Sequence, residues 1–290
     1  MTETLERTVF GHRFQNPVLL AAGTAGFGRE VSGVIDLERL GGIVTKAVSR
    51  EPRGGNRAPR VAEFSVGMLN SVGLANPGLD RVRLEQLPWL ATHLRRARVL
   101  VNVVGFVAED FALVVAGLEE FECIAGFEIN LSCPNTHAGG VEFGSDPTTV
   151  ARVLELCAGR SRKPLIAKLS PALPDIAAMA VVAREAGAAG VTVVNTLPGY
   201  LADQRGAPRL GNGHGGISGP ALLPVGVLAV RRIMDKSGGM PVIGVGGIRS
   251  GDDARQYLRA GAALVAVGTA AMANPRIPER IVSDLEQHGV

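Results

Sequence analysis

Short runs rich in Val, Ile, Leu and Ala recur along the whole chain, each followed by a stretch of helical spacing, and this alternation limits the possible folds more than any other feature. The runs fall at 17–22, 43–47, 99–104, 124–131, 165–169, 191–195, 242–245 and 264–267. Their near-continuous hydrophobicity marks strands buried on both faces, as in a parallel sheet covered by helices. Between them the spacing predicts helices over 77–96, 109–122, 147–161, 174–186 and 225–234, with Asp146 as an N-cap before Pro147. Eight strands in one ladder predict an α/β chain forming one (β/α)8 TIM barrel over residues 1–290, a length that suits a barrel of about 250 residues. A doubly wound open sheet is the alternative, but no GxGxxG follows the first strand.

Two segments interrupt the ladder. Residues 49–73 hold Arg-, Pro- and Gly-rich turns around an inserted short hairpin at Val61-Ala62-Glu63-Phe64, and residues 197–219 are too rich in glycine to predict regular structure. Both are longer than simple connectors and are read as active-site loops that close over a ligand.

A (β/α)8 barrel places its chemistry at the C-terminal ends of its strands. The polar residues predicted there are Lys46, Asn102, Asn130, Lys168, Asn195 and Thr196, with Cys133 just past strand four. Only four of the thirty Lys and Arg residues are lysines, so Lys46 and Lys168, both at strand ends, are read as chosen for their chemistry; Lys163 and Lys236 read as surface charge. Gly246-Gly247 and Gly268-Thr269 end strands seven and eight, where barrels of this kind hold a phosphate against backbone N–H groups. No HExxH, GxSxG or carboxylate pair occurs in this set, which removes zinc, serine and glycoside hydrolysis, and the five histidines lack ligand spacing. A phosphate-anchored cofactor with lysine and amide contacts to a ring system points to FMN.

Three dispersed cysteines, Cys123, Cys133 and Cys157, form no CxxC pair and cannot alone hold an iron–sulfur cluster. Their odd count predicts a reducing compartment, and with no long apolar run the expectation is a cytoplasmic protein. The net charge of +3 is interspersed, which gives nucleic-acid binding little support.

The stretch NLSCPNTHAGGVEFGSDP at 130–147 carries the sharpest signal: Pro134 biases Cys133 toward an extended turn between two amides, Asn130 and Asn135. With GMLNSVGL at 67–74, NPGL at 76–79, KLSP at 168–171, NTLPG at 195–199, GGISGPA at 215–221, GVGGI at 244–248 and AVGTA at 266–270, the chain resembles the catalytic subunit of class 1B dihydroorotate dehydrogenases. The resemblance runs from about residue 16 to the final helix. It implies oxidation of (S)-dihydroorotate to orotate, with hydride passing to FMN and Cys133 as the general base. Substrate contacts are implied at Lys46, Asn70, Ser71, Val72, Gly73, Leu74, Asn130, Asn135, Asn195 and Thr196. FMN contacts are implied at Ala22, Lys46, Ala47, Asn102, Asn130, Lys168, Val194, Gly219, Gly246, Gly247, Gly268 and Thr269. Ala22 departs from the serine common in relatives, so a hydroxyl contact is lost there.

The resemblance also implies a partner subunit with FAD and a [2Fe–2S] cluster, joined to a homodimer of this chain in a heterotetramer that reduces NAD+. A fumarate-dependent class 1A enzyme is the alternative. A tRNA dihydrouridine synthase is a weaker one, since it needs a basic RNA surface and usually an added helical domain. An aldolase using Lys168 as a Schiff base and a non-catalytic binding subunit complete the rivals; flavin absorbance of the purified protein would exclude the first of these, and Cys133 argues against the second.

Overall fold

The computed structural model describes residues 4–131, 134–135 and 141–290, the side chains of 134, 135, 141 and 142 excepted. The described chain opens with an antiparallel hairpin, β1 (Arg7–Val9) and β2 (His12–Phe14), which sequence analysis did not anticipate. In chain order there follow β3 (Val18–Leu20), β4 (Gly42–Val44), β5 (Val61–Phe64), β6 (Gly67–Asn70), β7 (Arg98–Val103), β8 (Ile124–Asn130), the short pair β9 (Pro134–Asn135) and β10 (Val141–Glu142), and β11 (Leu165–Leu169). The last five are β12 (Gly190–Val193), β13 (Leu197–Gly199), β14 (Gly215–Ser218), β15 (Val242–Val245) and β16 (Leu264–Val267). Eight of these, β3, β4, β7, β8, β11, β12, β15 and β16, close into one parallel barrel. They coincide with the eight predicted runs, and β11, β15 and β16 match them residue for residue.

Helices cover the barrel because the outward residues of each strand are as apolar as the inward ones. Leu118, Val153, Ala180, Val230 and Leu285 come from the helices, pack with Val101, Phe127, Ala167 and Val191 of the strands, and are essentially without solvent exposure. At roughly 25 cal/mol per Å2 of apolar surface removed from water, this shell is the main stabilising term. The helix over Pro147–Ala158 starts as predicted, with the Asp146 carboxylate accepting from the Thr149 amide at 2.7 Å. Among the described residues, no helix is long and apolar enough to cross a membrane.

The inward residues form a separate cluster whose floor is the hairpin. Val9 and Phe14 pack beneath Leu19, Val44, Leu100, Ile166, Ile243 and Leu264, with Phe10 against them. Gly190 allows this, since a Cβ there would strike the Phe10 ring and the Pro241 carbonyl. The barrel is therefore filled from its N-terminal end, which leaves the C-terminal mouth for chemistry.

One sequence expectation changes form. The glycine-rich 197–219 segment is not irregular: β13 and β14 lie in it, and β14 pairs antiparallel with β6 from the 49–73 insertion, giving a four-stranded sheet ordered β13-β14-β6-β5. Each segment alone lacks enough apolar residues to hold a hairpin. Paired, they bury Ala62, Leu69 and Leu210 in a small core of their own, with Leu201 and Ile217 packed on it.

Candidate active site

Side chains alternate across a strand, so the residue two places beyond an inward apolar residue also points inward. On that rule Leu100 is followed by Asn102, Gly126 by Glu128 and Asn130, Ile166 by Lys168, and Gly190 by Thr192. The register agrees, pairing Asn102 with Glu128 and Lys168 with both Asn130 and Thr192. The barrel interior therefore changes from an apolar floor to a polar layer near its C-terminal end.

That layer is tightly buried. Glu128 and Asn102 are fully buried and Lys168 is only 7% exposed. The Glu128 Oε1 atom accepts from Asn102 Nδ2 at 2.7 Å and lies 3.4 Å from Lys168 Nζ. Three polar atoms of the layer, Asn102 Oδ1, Glu128 Oε2 and Thr192 Oγ1, have no hydrogen-bond partner among the described residues. A buried polar atom left unpaired costs about 1–3 kcal/mol, so three together mark a place where a polar group binds.

Around this layer stand the other strand-end residues. Thr45 Oγ1 donates to the Lys46 carbonyl at 2.9 Å and accepts from the Asn102 amide at 3.3 Å, which ties the Lys46 turn to β7. The Lys46 amide donates to Gly26 at 2.7 Å, and its side chain is half-buried. Asn195 Nδ2 donates to Asn130 Oδ1 at 3.2 Å while Asn195 Oδ1 takes the Thr196 amide at 2.8 Å. The two amides therefore orient one another before any ligand arrives.

The sheet of the two excursions brings Asn70 into place, its Nδ2 donating to the Gly216 carbonyl at 3.1 Å. The chain then turns through Gly73 and Leu74, both left-handed, with φ of 73° and 57°. For leucine that conformation costs roughly 1–2 kcal/mol, and it is held by the buried Asn76, whose Nδ2 donates to the Leu74 carbonyl and whose Oδ1 takes the Ser49 and Gly78 amides. Thr269 Oγ1 donates to Ser218 Oγ at 2.8 Å and Ser218 Oγ to the Met68 carbonyl at 3.3 Å, which fastens the sheet to the end of β16.

Gly246-Gly247 and Gly268-Thr269, where a phosphate is expected, follow directly on β15 and β16. Gly246 and Gly247 have φ of 122° and 76°, and a Cβ at Gly247 would fall 2.6 Å from the Leu223 amide nitrogen. Tyr257 fixes this turn from beneath, its hydroxyl 2.8 Å from the Gly246 carbonyl and 3.1 Å from that of Val245. At Gly268 a Cβ would make ordinary van der Waals contact with Ala21, 3.7 Å away. Ala22, Ala47, Val194 and Gly219 lie just past β3, β4, β12 and β14 on the same end of the barrel. Two cavities, of about 670 Å3 beside Arg50, Arg53 and Arg81 and about 590 Å3 beside Trp89 and His93, lie outside this ring and contribute none of its residues.

Cys133 and the side chain of Asn135 lie outside the described residues. Of the other two cysteines, burial pushes the Cys157 thiol up to about 12 and raises that of the half-buried Cys123, so neither is a ready thiolate. Sequence analysis missed Glu128, Thr45 and Thr192. The signal for Glu128 is nonetheless visible in the chain, a carboxylate inside the apolar run 124–131.

The profile of the dihydroorotate dehydrogenase family matches residues 4–288. A putative dihydroorotate dehydrogenase A (fumarate) of Solibacter usitatus is 44% identical over 98% of this chain and 93% of its own length. The catalytic subunits of dihydroorotate dehydrogenase B (NAD(+)) from Pelobacter propionicus and Desulforudis audaxviator are 41% and 42% identical, each over 97% of this chain and over 93% and 91% of their own lengths.

Proposed function

The chain belongs to the dihydroorotate dehydrogenase family, and from that premise we propose that it oxidises (S)-dihydroorotate to orotate in pyrimidine synthesis, with FMN held at the barrel mouth. The observation that carries this is the polar layer of Asn102, Glu128, Lys168 and Thr192 at the C-terminal end of the barrel, whose unpaired atoms are available to a bound polar group. The chain's own groups would hold FMN as follows: Lys168, Asn102 and Asn130 the ring, Ala22, Lys46, Ala47 and Val194 its surroundings, and Gly219, Gly246, Gly247, Gly268 and Thr269 the phosphate end. When bound, FMN supplies the hydride acceptor that no protein side chain provides.

The remaining chemistry belongs to the protein. Asn70, Asn130, Asn135, Asn195 and Thr196 match the amide and imide groups of a dihydropyrimidine, which both donates and accepts. Lys46 supplies a positive charge for the substrate carboxylate, and the 70–74 turn forms the wall against it. Cys133 takes the C5 proton. The four-stranded sheet excludes water from the reacting carbons.

The Thr196 position gives a direct check on this arrangement. A Cβ at Gly216 would overlap Thr196 Oγ1, so Gly216→Ala must displace the Thr196 hydroxyl. The expected result is a rise in KM for dihydroorotate of roughly ten- to a hundredfold with FMN retained, since a 1 Å misplacement can cost that much. An unchanged KM removes Thr196 from the substrate site.

For the electron acceptor we propose NAD+, reached through a partner subunit carrying FAD and a [2Fe–2S] cluster and docked on a dimer of this chain. Support comes from the several relatives named as catalytic subunits of the NAD(+) enzyme. The 44% identical relative named for fumarate keeps the class 1A reading as the second. Acceptor profiling decides between them. The purified chain is expected to reduce a dye with dihydroorotate, to reduce NAD+ poorly, and to gain NAD+ reduction on co-expression with the partner. Efficient fumarate reduction by the chain alone favours class 1A. A colourless protein inert toward dihydroorotate with every acceptor overturns the proposal.

A further inference from the structure

We infer that Glu128 is a positioning residue for the cofactor site, setting both the charge beside Lys168 and the direction in which the Asn102 amide faces. This rests on the FMN reading above. Glu128 is fully buried, and its Oε1 serves two donors, Asn102 Nδ2 and Lys168 Nζ, while its Oε2 has no partner among the described residues. As a stability device this is a poor arrangement. Burying an ion pair costs several kcal/mol per ion, recovered only with good geometry and full hydrogen bonding. Here the contact is 3.4 Å and one carboxylate oxygen is unused. The layer beneath shows the alternative, with Leu100, Ile166 and Ile243 filling the interior without polar groups.

What the carboxylate achieves is a pattern. An ionised carboxylate accepts and never donates, so the amide group facing it must be Nδ2, and Asn102 Oδ1 is turned away as a free acceptor. The ammonium carries three donors, of which Glu128 engages one through the same Oε1 atom that holds the Asn102 amide. An acceptor next to a cation is complementary to an N–H adjoining a carbonyl, the edge presented by the pyrimidine half of an isoalloxazine ring. The negative charge of Glu128 also offsets part of the field that Lys168 places at the ring, and so tempers how strongly reduced FMN is favoured over oxidised FMN.

Redox titration of the FMN-loaded protein tests this without reference to turnover. Glu128→Gln keeps the shape and removes the charge. It is expected to raise the affinity for reduced relative to oxidised FMN about tenfold, a rise in midpoint potential of about 30 mV for a two-electron couple. In a Lys168→Met background the same substitution is expected to lose most of that effect, because the two residues act as a unit. Should Glu128→Gln not fold, Glu128→Asp keeps the charge but withdraws it by one methylene, and is expected to weaken FMN binding about tenfold with a displaced potential. An unchanged potential and FMN affinity in whichever variant folds, or an equal shift with and without Lys168, overturns the assignment. Wild-type protein that takes up FMN and oxidises dihydroorotate while Glu128→Gln leaves the potential unmoved means that only the role of Glu128 fails. Wild-type protein that takes up no FMN sinks both readings.

Discussion

Cys133→Ser is expected to retain FMN and to lose most dihydroorotate turnover near neutral pH, by about 10²- to 10⁴-fold, the range that a positioned general base contributes. A thiol with an ordinary pKa of roughly 8.5 is partly ionised at neutrality, whereas a serine hydroxyl is not. Wild-type turnover should therefore climb with pH as thiolate accumulates, and the variant should recover in part only at high pH. Cys133 follows within three residues of Asn130, the proposed substrate contact whose side-chain amide is held by Asn195. Cys157, fully buried with its thiol pushed up to about 12, and Cys123, also raised by desolvation, are unsuited to the task. Undiminished turnover of the serine variant at neutral pH would withdraw the role from Cys133.

The second large effect concerns Lys168. Lys168→Ala leaves the Glu128 carboxylate, with a side chain only 1% exposed, without its cation. Breaking a buried pair from one side costs about 3–5 kcal/mol, because the remaining charge is neither solvated nor paired. Denaturation of the FMN-free protein should show that loss, and the variant should hold FMN more weakly and reduce it slowly. Adding Glu128→Gln to Lys168→Ala should restore much of the stability but not the FMN affinity, which separates the two roles of the lysine. A stability loss under about 1 kcal/mol would mean that the two groups are not an ion pair. A borohydride-trapped adduct on Lys168 would instead support Schiff-base chemistry.

Strands were legible because they are buried on both faces and hence read as continuous apolar runs. The hairpin at 7–14 was not, because its inward residues, Val9 and Phe14, gain their partners only when eight distant strands close above them. The 197–219 segment read as irregular for a similar reason: its ladder partner, β6, lies about 150 residues earlier in the chain, as the Met68–Ser218 pairing illustrates. Local composition cannot report a pairing partner that far away. Glu128 is the instructive omission. In the sequence it is a carboxylate within an apolar strand, and only the register of β7 against β8 puts its Oε1 atom 2.7 Å from the Asn102 amide.

By itself the sequence determined the barrel, the order of its strands, the glycine pairs after strands seven and eight, and the residues at the strand ends, because each depends on period, turn chemistry or motif within a few residues. Tertiary structure alone decided which inward atoms are satisfied and which are left open, and that two glycine-rich excursions form one sheet locked to Thr269 through Ser218. Those outcomes depend on contacts between residues tens to hundreds of positions apart, brought within hydrogen-bond reach only when the barrel closes.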